Sequence, residues 1–221
     1  MIGSEIKKSV FRDTTTFYNN APQEVVVARQ LARFVRRYAG KSILDYGCAI
    51  GNYCLYFQQL GYTTTGVDIN LQYVNDARKR GVNALHLNGP APFPDKSFDT
   101  VIIFEVLEHL EHPEIVLRDA KRLARKNILI TTPNSERVEE LRREGLLFEH
   151  FADLDHKNFF TPETMQNLLS QHFTKVKVQK GNGINPFALS SLKMLRLLGK
   201  ALSYYGILRP YFHYRLFAVC E

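Results

Sequence analysis

Apolar residues along the chain keep two different periods, and the change from one to the other marks out the elements. From Pro22 to Tyr38 they recur every three to four positions, at Val26, Ala28, Leu31, Phe34 and Val35, which predicts an amphipathic helix that Gly40 ends. Ile43 and Leu44 then open a short apolar run. Asp45 to Gly51 form a glycine-bearing turn, Asn52 to Leu60 suit a helix, and Tyr62 to Val67 make a second strand ending at Asp68. Strand, turn, helix and strand in that order predict a βαβ unit. Leu71 to Arg80 follows as helix and Asn83 to Leu87 as a third strand. A proline-rich stretch, Pro90-Ala-Pro-Phe-Pro-Asp-Lys-Ser-Phe-Asp99, leads into a fourth, Thr100 to Phe104. Asp119 to Ala124 reads as helix, Ile128 to Ile130 as a fifth strand, and Glu136 to Arg143 as a charged helix. Thr161, Pro162 and Glu163 supply an N-cap, a proline for the first turn and an early acid, so a helix is expected to about Gln171. Phe173 to Val178 and Tyr214 to Cys220 read as the last two strands.

In a βαβ unit a ligand sits outside the carboxyl ends of the strands, so the 45–51 turn and Asp68 face one crevice. Glycine at 47 and 51 lets the backbone come close to that ligand. An acid roughly 20 positions after such a turn is where dinucleotide folds hold a ribose hydroxyl pair, and Asp68 stands there. A nucleoside is the expectation. The turn reads Asp-Tyr-Gly-Cys-Ala-Ile-Gly, which is neither G-x-G-x-x-G nor a phosphate loop ending in G-K-[ST]. Asp45 would repel a pyrophosphate and suits a cationic ligand.

Length and charge narrow the class. A chain of 221 residues fits one elaborated α/β domain, divided here into a lead and helix (1–40), a core (41–180), an insertion (181–210) and a last strand (211–221). The net charge of +7 invites an anionic partner without choosing among nucleic acid, lipid and acidic substrate. Arg29, Arg33, Arg36 and Arg37 form either a solvated helix face or a nucleic-acid contact. Cys48, Cys54 and Cys220 lack metal-type spacing and read as buried thiols in a reducing compartment. No apolar core of signal-peptide length lies in Met1 to Asp13 and no run reaches a membrane span, so a cytoplasmic protein is expected. In the insertion, Leu192, Leu195, Leu198, Leu202 and Tyr205 recur at helical spacing while Lys193, Arg196 and Lys200 fall on another stripe. This helix either packs on the domain or makes a peripheral membrane contact through 184–208.

The Asp45–Gly51 turn resembles motif I of the class I S-adenosylmethionine-dependent methyltransferases, usually D-x-G-C-G-x-G, with Ala49 in place of the middle glycine. The resemblance implies a doubly wound, Rossmann-like seven-stranded sheet whose last strand is antiparallel, with a helical insertion before that strand. It implies that Asp45, Gly47, Cys48 and Gly51 surround the aminocarboxypropyl arm of S-adenosyl-L-methionine, that Asp68 takes the ribose hydroxyls with Ile69 beside it, and that the lead segment folds over the cofactor. Pro-Phe-Pro-Asp-Lys-Ser-Phe-Asp is familiar from small members of the family, and Asn88 stands nearest to their adenine contact. If the chain turns helical after Phe104, Glu105, Glu108 and His109 share one face beside the crevice, with Glu105 also lining the cofactor pocket. Glu105, Glu108, His109 and the later His156 resemble the set with which small-RNA 3′-terminal 2′-O-methyltransferases and ubiquinone-pathway O-methyltransferases bind a divalent cation such as Mg. Without a metal, His109, His150 and His156 are the candidate bases. The activity implied is methyl transfer to a small-molecule, quinone-like or lipid acceptor, at oxygen. RNA 2′-O-methylation and a silent cofactor-binding partner subunit are the alternatives.

Overall fold

Alternation along the central strands decides how the sheet is covered. The structure is a computed structural model that describes residues 25, 27–138, 155–184, 187, 192–210 and 212–221. In β1 (Ser42–Tyr46), β4 (Phe98–Phe104) and β5 (Ala124–Pro133), Leu44, Val101, Ile103, Ile128 and Ile130 point to one face, and Ile43, Ile102 and Leu129 point to the other. A strand apolar on both sides is buried on both sides. Leu117 and Leu123 of α4 (Pro113–Leu123) and Met165 and Leu169 of α5 (Pro162–Ser170) cover the first face. Leu31, Ala32 and Val35 of α1 (Arg29–Tyr38) and Phe57 of α2 (Asn52–Gln59) cover the second.

The sheet has seven strands in the order β3-β2-β1-β4-β5-β7-β6, with β2 at Thr63–Asp68, β3 at Ala84–His86, β6 at Val176–Ile184 and β7 at Phe212–Cys220. β1 pairs in parallel with β2 and β4, and the direction reverses only at β7, which runs antiparallel to β5 and β6. β3 to β1 and β1 to β4 to β5 wind outward in opposite senses, so the order reverses between β1 and β4, where ligands bind in such sheets. The doubly wound α/β expectation holds, including the antiparallel last strand.

Several boundaries move for physical reasons. β4 and β5 begin earlier than their apolar runs because main-chain pairing, such as Phe98 with Ala124, carries polar residues into the ladder. α4 begins six positions ahead of Asp119, at Pro113, whose fixed φ and missing N–H suit a first turn. β6 continues through Gly181 and Gly183 to Ile184, paired to β7, so the insertion starts later than 181. The N-cap at Thr161 forms as expected: its hydroxyl accepts from the Thr164 amide at 3.2 Å, and its own amide donates to the Thr164 hydroxyl at 2.8 Å. The lead segment 1–20 and residues 139–143 of the charged helix lie outside the described residues.

Helix α6 (Lys193–Tyr204) forms where the insertion predicts one. Gly199 alone is buried in it, while Met194 is 82% and Tyr204 84% exposed. Its predicted apolar stripe divides: Leu195 and Leu202 are half-buried, while Leu192, Leu198 and Tyr205 are exposed. Among the described residues no helix is long and apolar enough to cross a membrane.

Candidate active site

The crevice opens where β1 and β2 end. After Tyr46 the chain turns through three left-handed residues, Gly47 (φ 86°), Ala49 (φ 45°) and Gly51 (φ 78°), the last of which caps α2. The amides of Gly47 and Cys48 both donate to the Val67 carbonyl, at 2.8 and 3.0 Å, which ties the turn to the end of β2. A Cβ on Gly47 would come within 2.5 Å of Val106 and one on Gly51 within 2.6 Å of Val82, so side chains are excluded by space as well as by φ. Arg80, which the sequence pattern does not single out, clamps the turn from α3 (Leu71–Lys79) by donating to the Ile50 carbonyl at 2.7 Å and to Asn52 at 2.9 Å.

Asp68 ends β2 with one carboxylate oxygen accepting from the Ala49 amide and the other from the Asn70 amide, both at 2.8 Å. These bonds fix the carboxylate at the end of β2. Ile69 is 75% exposed beside it, its carbonyl 2.9 Å from His86 Nε2. Asn88 is exposed in the turn after β3. Cys48 turns away: its sulfur packs against Gly66 in a cluster with Cys54, Val74 and Ala77, so only its main chain borders the crevice. Asp45 is buried, with the Cys54 thiol donating to it at 3.6 Å. Burial, reinforced by the Asp68 charge, pushes its carboxyl up to about 7.

At the end of β4 the structure corrects the expected helix. Glu105 has φ 54°, and only Leu107–His109 form a single 3-10 turn, so the i, i+3, i+4 relation among Glu105, Glu108 and His109 does not arise. The Glu105 carboxylate swings instead to Thr131, whose hydroxyl donates at 2.7 Å, and to Arg215 of β7 at 3.1 and 3.3 Å. Glu108, His109 and His156 do come together: their ligand atoms lie within 4.8 Å of one another, and the two imidazole centroids are 4.7 Å apart. What joins them is a splice between distant segments. The amides of Lys157 and Asn158 donate to the Glu108 carbonyl at 2.7 and 3.0 Å, and the Asn158 side chain donates to the carbonyls of Leu107 and Leu110 at 3.1 and 2.6 Å. His150 lies outside the described residues.

A family model described as a methyltransferase domain matches residues 22–173, well over half of the chain. The chain belongs to that family. The methyltransferase is 28% identical over 130 residues to a demethylmenaquinone methyltransferase of Tropheryma whipplei, which covers 54% of each protein. It is 27% identical over 164 residues to a ubiquinone biosynthesis O-methyltransferase of Pseudoalteromonas translucida, covering 67% of this chain and 69% of the relative. It thus spans about half the length of the first of these curated relatives. A crystal structure of a SAM-dependent methyltransferase from Archaeoglobus fulgidus shares the fold, with a TM-score of 0.64 at 22% identity over 86% of this chain and 90% of the other.

The residues present fit the nucleoside sulfonium that the methyltransferase family uses. A buried carboxyl with a raised pKa is a poor neighbour for phosphate and a good one for an ammonium or sulfonium, whose charge restores the ionised form. Asp68 is a fixed carboxylate at the end of β2, an acceptor of the kind that ribose hydroxyls require. A groove of about 260 Å³ lined by Gln30, Arg33, Phe34, Arg37, Tyr38, Gln179, Lys180 and Phe217 contains none of these residues. The arginine stripe of α1 therefore borders a separate surface.

Proposed function

We propose that this methyltransferase carries a methyl group from S-adenosyl-L-methionine to an oxygen of a small quinone-like or lipid acceptor. The observation that carries the reading is the placement of Glu108 and His109, on the turn after β4, and His156, from the segment joined to it, within 4.8 Å of one another. The names of the two curated relatives support the quinone-like class.

In this reading Asp45 and the amides of the 47–51 turn hold the aminocarboxypropyl arm, Asp68 holds the ribose, and Asn88 borders the adenine. Methyl transfer is an in-line displacement: the C–S bond breaks as the C–O bond forms, and sulfur leaves as a neutral thioether with the bonding pair. The acceptor hydroxyl must lose its proton, and His109 or His156 takes it. Two imidazoles with one carboxylate suit a first-row transition ion better than Mg, which prefers oxygen. A bound divalent cation would lower the hydroxyl pKa and seat two neighbouring acceptor oxygens. Glu105, held by Arg215, serves the cofactor wall rather than that ligand set.

Calorimetric titration of S-adenosylhomocysteine into wild type and Asp68→Ala tests the cofactor half. Micromolar-range binding that the substitution removes supports it, and no binding to folded wild type overturns it. Titration with Zn, Mn, Co and Mg and transfer of labelled methyl to catechol-type acceptors or to short RNA then test the rest. Label on RNA, or cofactor binding with no transfer to any acceptor, would replace the small-molecule reading by one of its two rivals.

A further inference from the structure

Helix α6 divides into three faces. At about 100° per residue, Leu195, Gly199 and Leu202 fall on one side with Ser203 at its margin, and these are the half-buried and buried positions of the helix. Met194, Leu197, Leu198 and Tyr204, joined by Tyr205 just beyond, occupy a second arc and are 49% to 84% exposed. Lys193, Arg196 and Lys200 fill the wider of the two gaps between them. A contiguous apolar arc left in water marks an interaction surface.

Charge complementarity names the occupant. No Asp or Glu occurs between Glu163 and Glu221, a stretch that holds eight Lys and Arg. A second copy of the chain would set these cations against their own kind. An apolar arc bordered by cations, with no acid, is instead the arrangement of a helix lying in the plane of a lipid headgroup layer. Topology adds the consequence. β6 runs parallel to β5, because both are antiparallel to β7, so the connection that carries α6 leaves the sheet at the edge where β1, β2 and β4 end.

We propose that α6 docks the methyltransferase on an anionic lipid surface through Met194, Leu197, Leu198, Tyr204 and Tyr205, with Lys193, Arg196 and Lys200 on the headgroups. This sets the mouth of the crevice toward the bilayer, and in that respect rests on the reading of the acceptor as a membrane-resident quinone-like or lipid molecule.

The test is flotation of the full chain, without cofactor or acceptor, with vesicles of phosphatidylcholine alone or mixed with phosphatidylglycerol. Binding is expected to the mixed vesicles and to weaken with salt. The triple variant Lys193→Gln, Arg196→Gln, Lys200→Gln should lose roughly a hundredfold in partition, each cation being worth about fivefold near an anionic surface. The variant Leu197→Ser, Leu198→Ser, Tyr204→Ser should lose binding to the mixed vesicles. S-adenosylhomocysteine titration of the same proteins reports folding and the cofactor reading separately. Wild type that binds the nucleoside and does not float, equal flotation on both lipids, or variants that float like wild type overturn the proposal. So does a concentration-dependent dimer that the apolar variant abolishes while vesicles bind neither protein.

Discussion

Arg215 of β7 donates from Nε at 3.1 Å and from Nη2 at 3.3 Å to the two carboxylate oxygens of Glu105 at the end of β4. The arginine is 7% exposed, and the glutamate holds a left-handed backbone at φ 54°. The pair fixes a carboxylate at the wall of the crevice that local geometry alone would not hold. Arg215→Met takes the cation away from that carboxylate and is expected to cost about 2–4 kcal/mol, less than for a fully buried pair because Glu105 keeps some water. Urea unfolding of Arg215→Met, Glu105→Gln and the double variant should show a coupling of about 1–3 kcal/mol. Additive losses would mean that the pair is incidental.

Asp45 predicts a pH dependence of definite sign. Its folded pKa of about 7 lies above the ordinary 3.8, chiefly through burial, so the fold favours the protonated carboxyl. Its contribution to the stability of the unligated protein is fully present below about pH 4 and is lost as pH rises through about 7. A cationic nucleoside needs the ionised form, so the affinity for S-adenosylmethionine should rise by up to about tenfold per unit below pH 7 and level off above it. Asp45→Asn should flatten that profile, weaken binding, and raise the melting temperature of the unligated protein above pH 7. A wild-type affinity that does not change between about pH 6 and pH 8 would remove Asp45 from the cofactor site.

Glycines 47, 51 and 61 separate strain from crowding. All three have positive φ, yet a Cβ on Gly61 meets nothing within 4 Å, whereas one on Gly47 or Gly51 strikes a valine methyl. Gly61→Ala should cost only the left-handed backbone penalty, about 1–2 kcal/mol. Gly47→Ala and Gly51→Ala should cost about 1–3 kcal/mol more. Gly47→Ala should also weaken S-adenosylhomocysteine, because it displaces Val106. Equal losses in urea unfolding at all three positions would show that the close approach is not what the turn requires.

The 45–51 turn and its approach to Asp68 were legible because they are local. Asp45, Gly47, Gly51 and Asp68 lie within one βαβ unit, where turn residues, helix period and strand end are set by neighbours in sequence. The second half of the site was not. The left-handed turn at Glu105 depends on an arginine 110 positions away, and the distance from Glu108 to His156 depends on main-chain bonds from Lys157 and Asn158. The end of β6 escaped for a similar reason: Gly181 and Gly183 carry no strand pattern and are held by pairing with β7. On α6 the helical period was legible, but which arc of it met the domain was not, since apolar residues lie on two of its three faces.

Asn158 is the residue on which the histidine pair turns. It reaches no part of the crevice itself, yet its side chain donates to Leu107 and Leu110 on either side of Glu108 and His109, and so holds the 155–160 segment against that turn. Asn158→Ala leaves two carbonyls without that donor and should cost about 1–3 kcal/mol in stability. Every candidate ligand residue is retained, so a loss of metal affinity in this variant would come from position alone. The affinity for Zn, Mn or Co, whichever the wild type binds most tightly, is expected to fall about tenfold to a hundredfold, the range seen when a group behind a metal ligand is removed. His156→Ala should abolish that binding, and S-adenosylhomocysteine should bind both variants as it binds wild type, since Asp45 and Asp68 are untouched. If Asn158→Ala folds and takes up metal like the wild type, the splice does not position His156. If His156→Ala does so too, the imidazole pair is not a metal site, and proton acceptance is the role left to it.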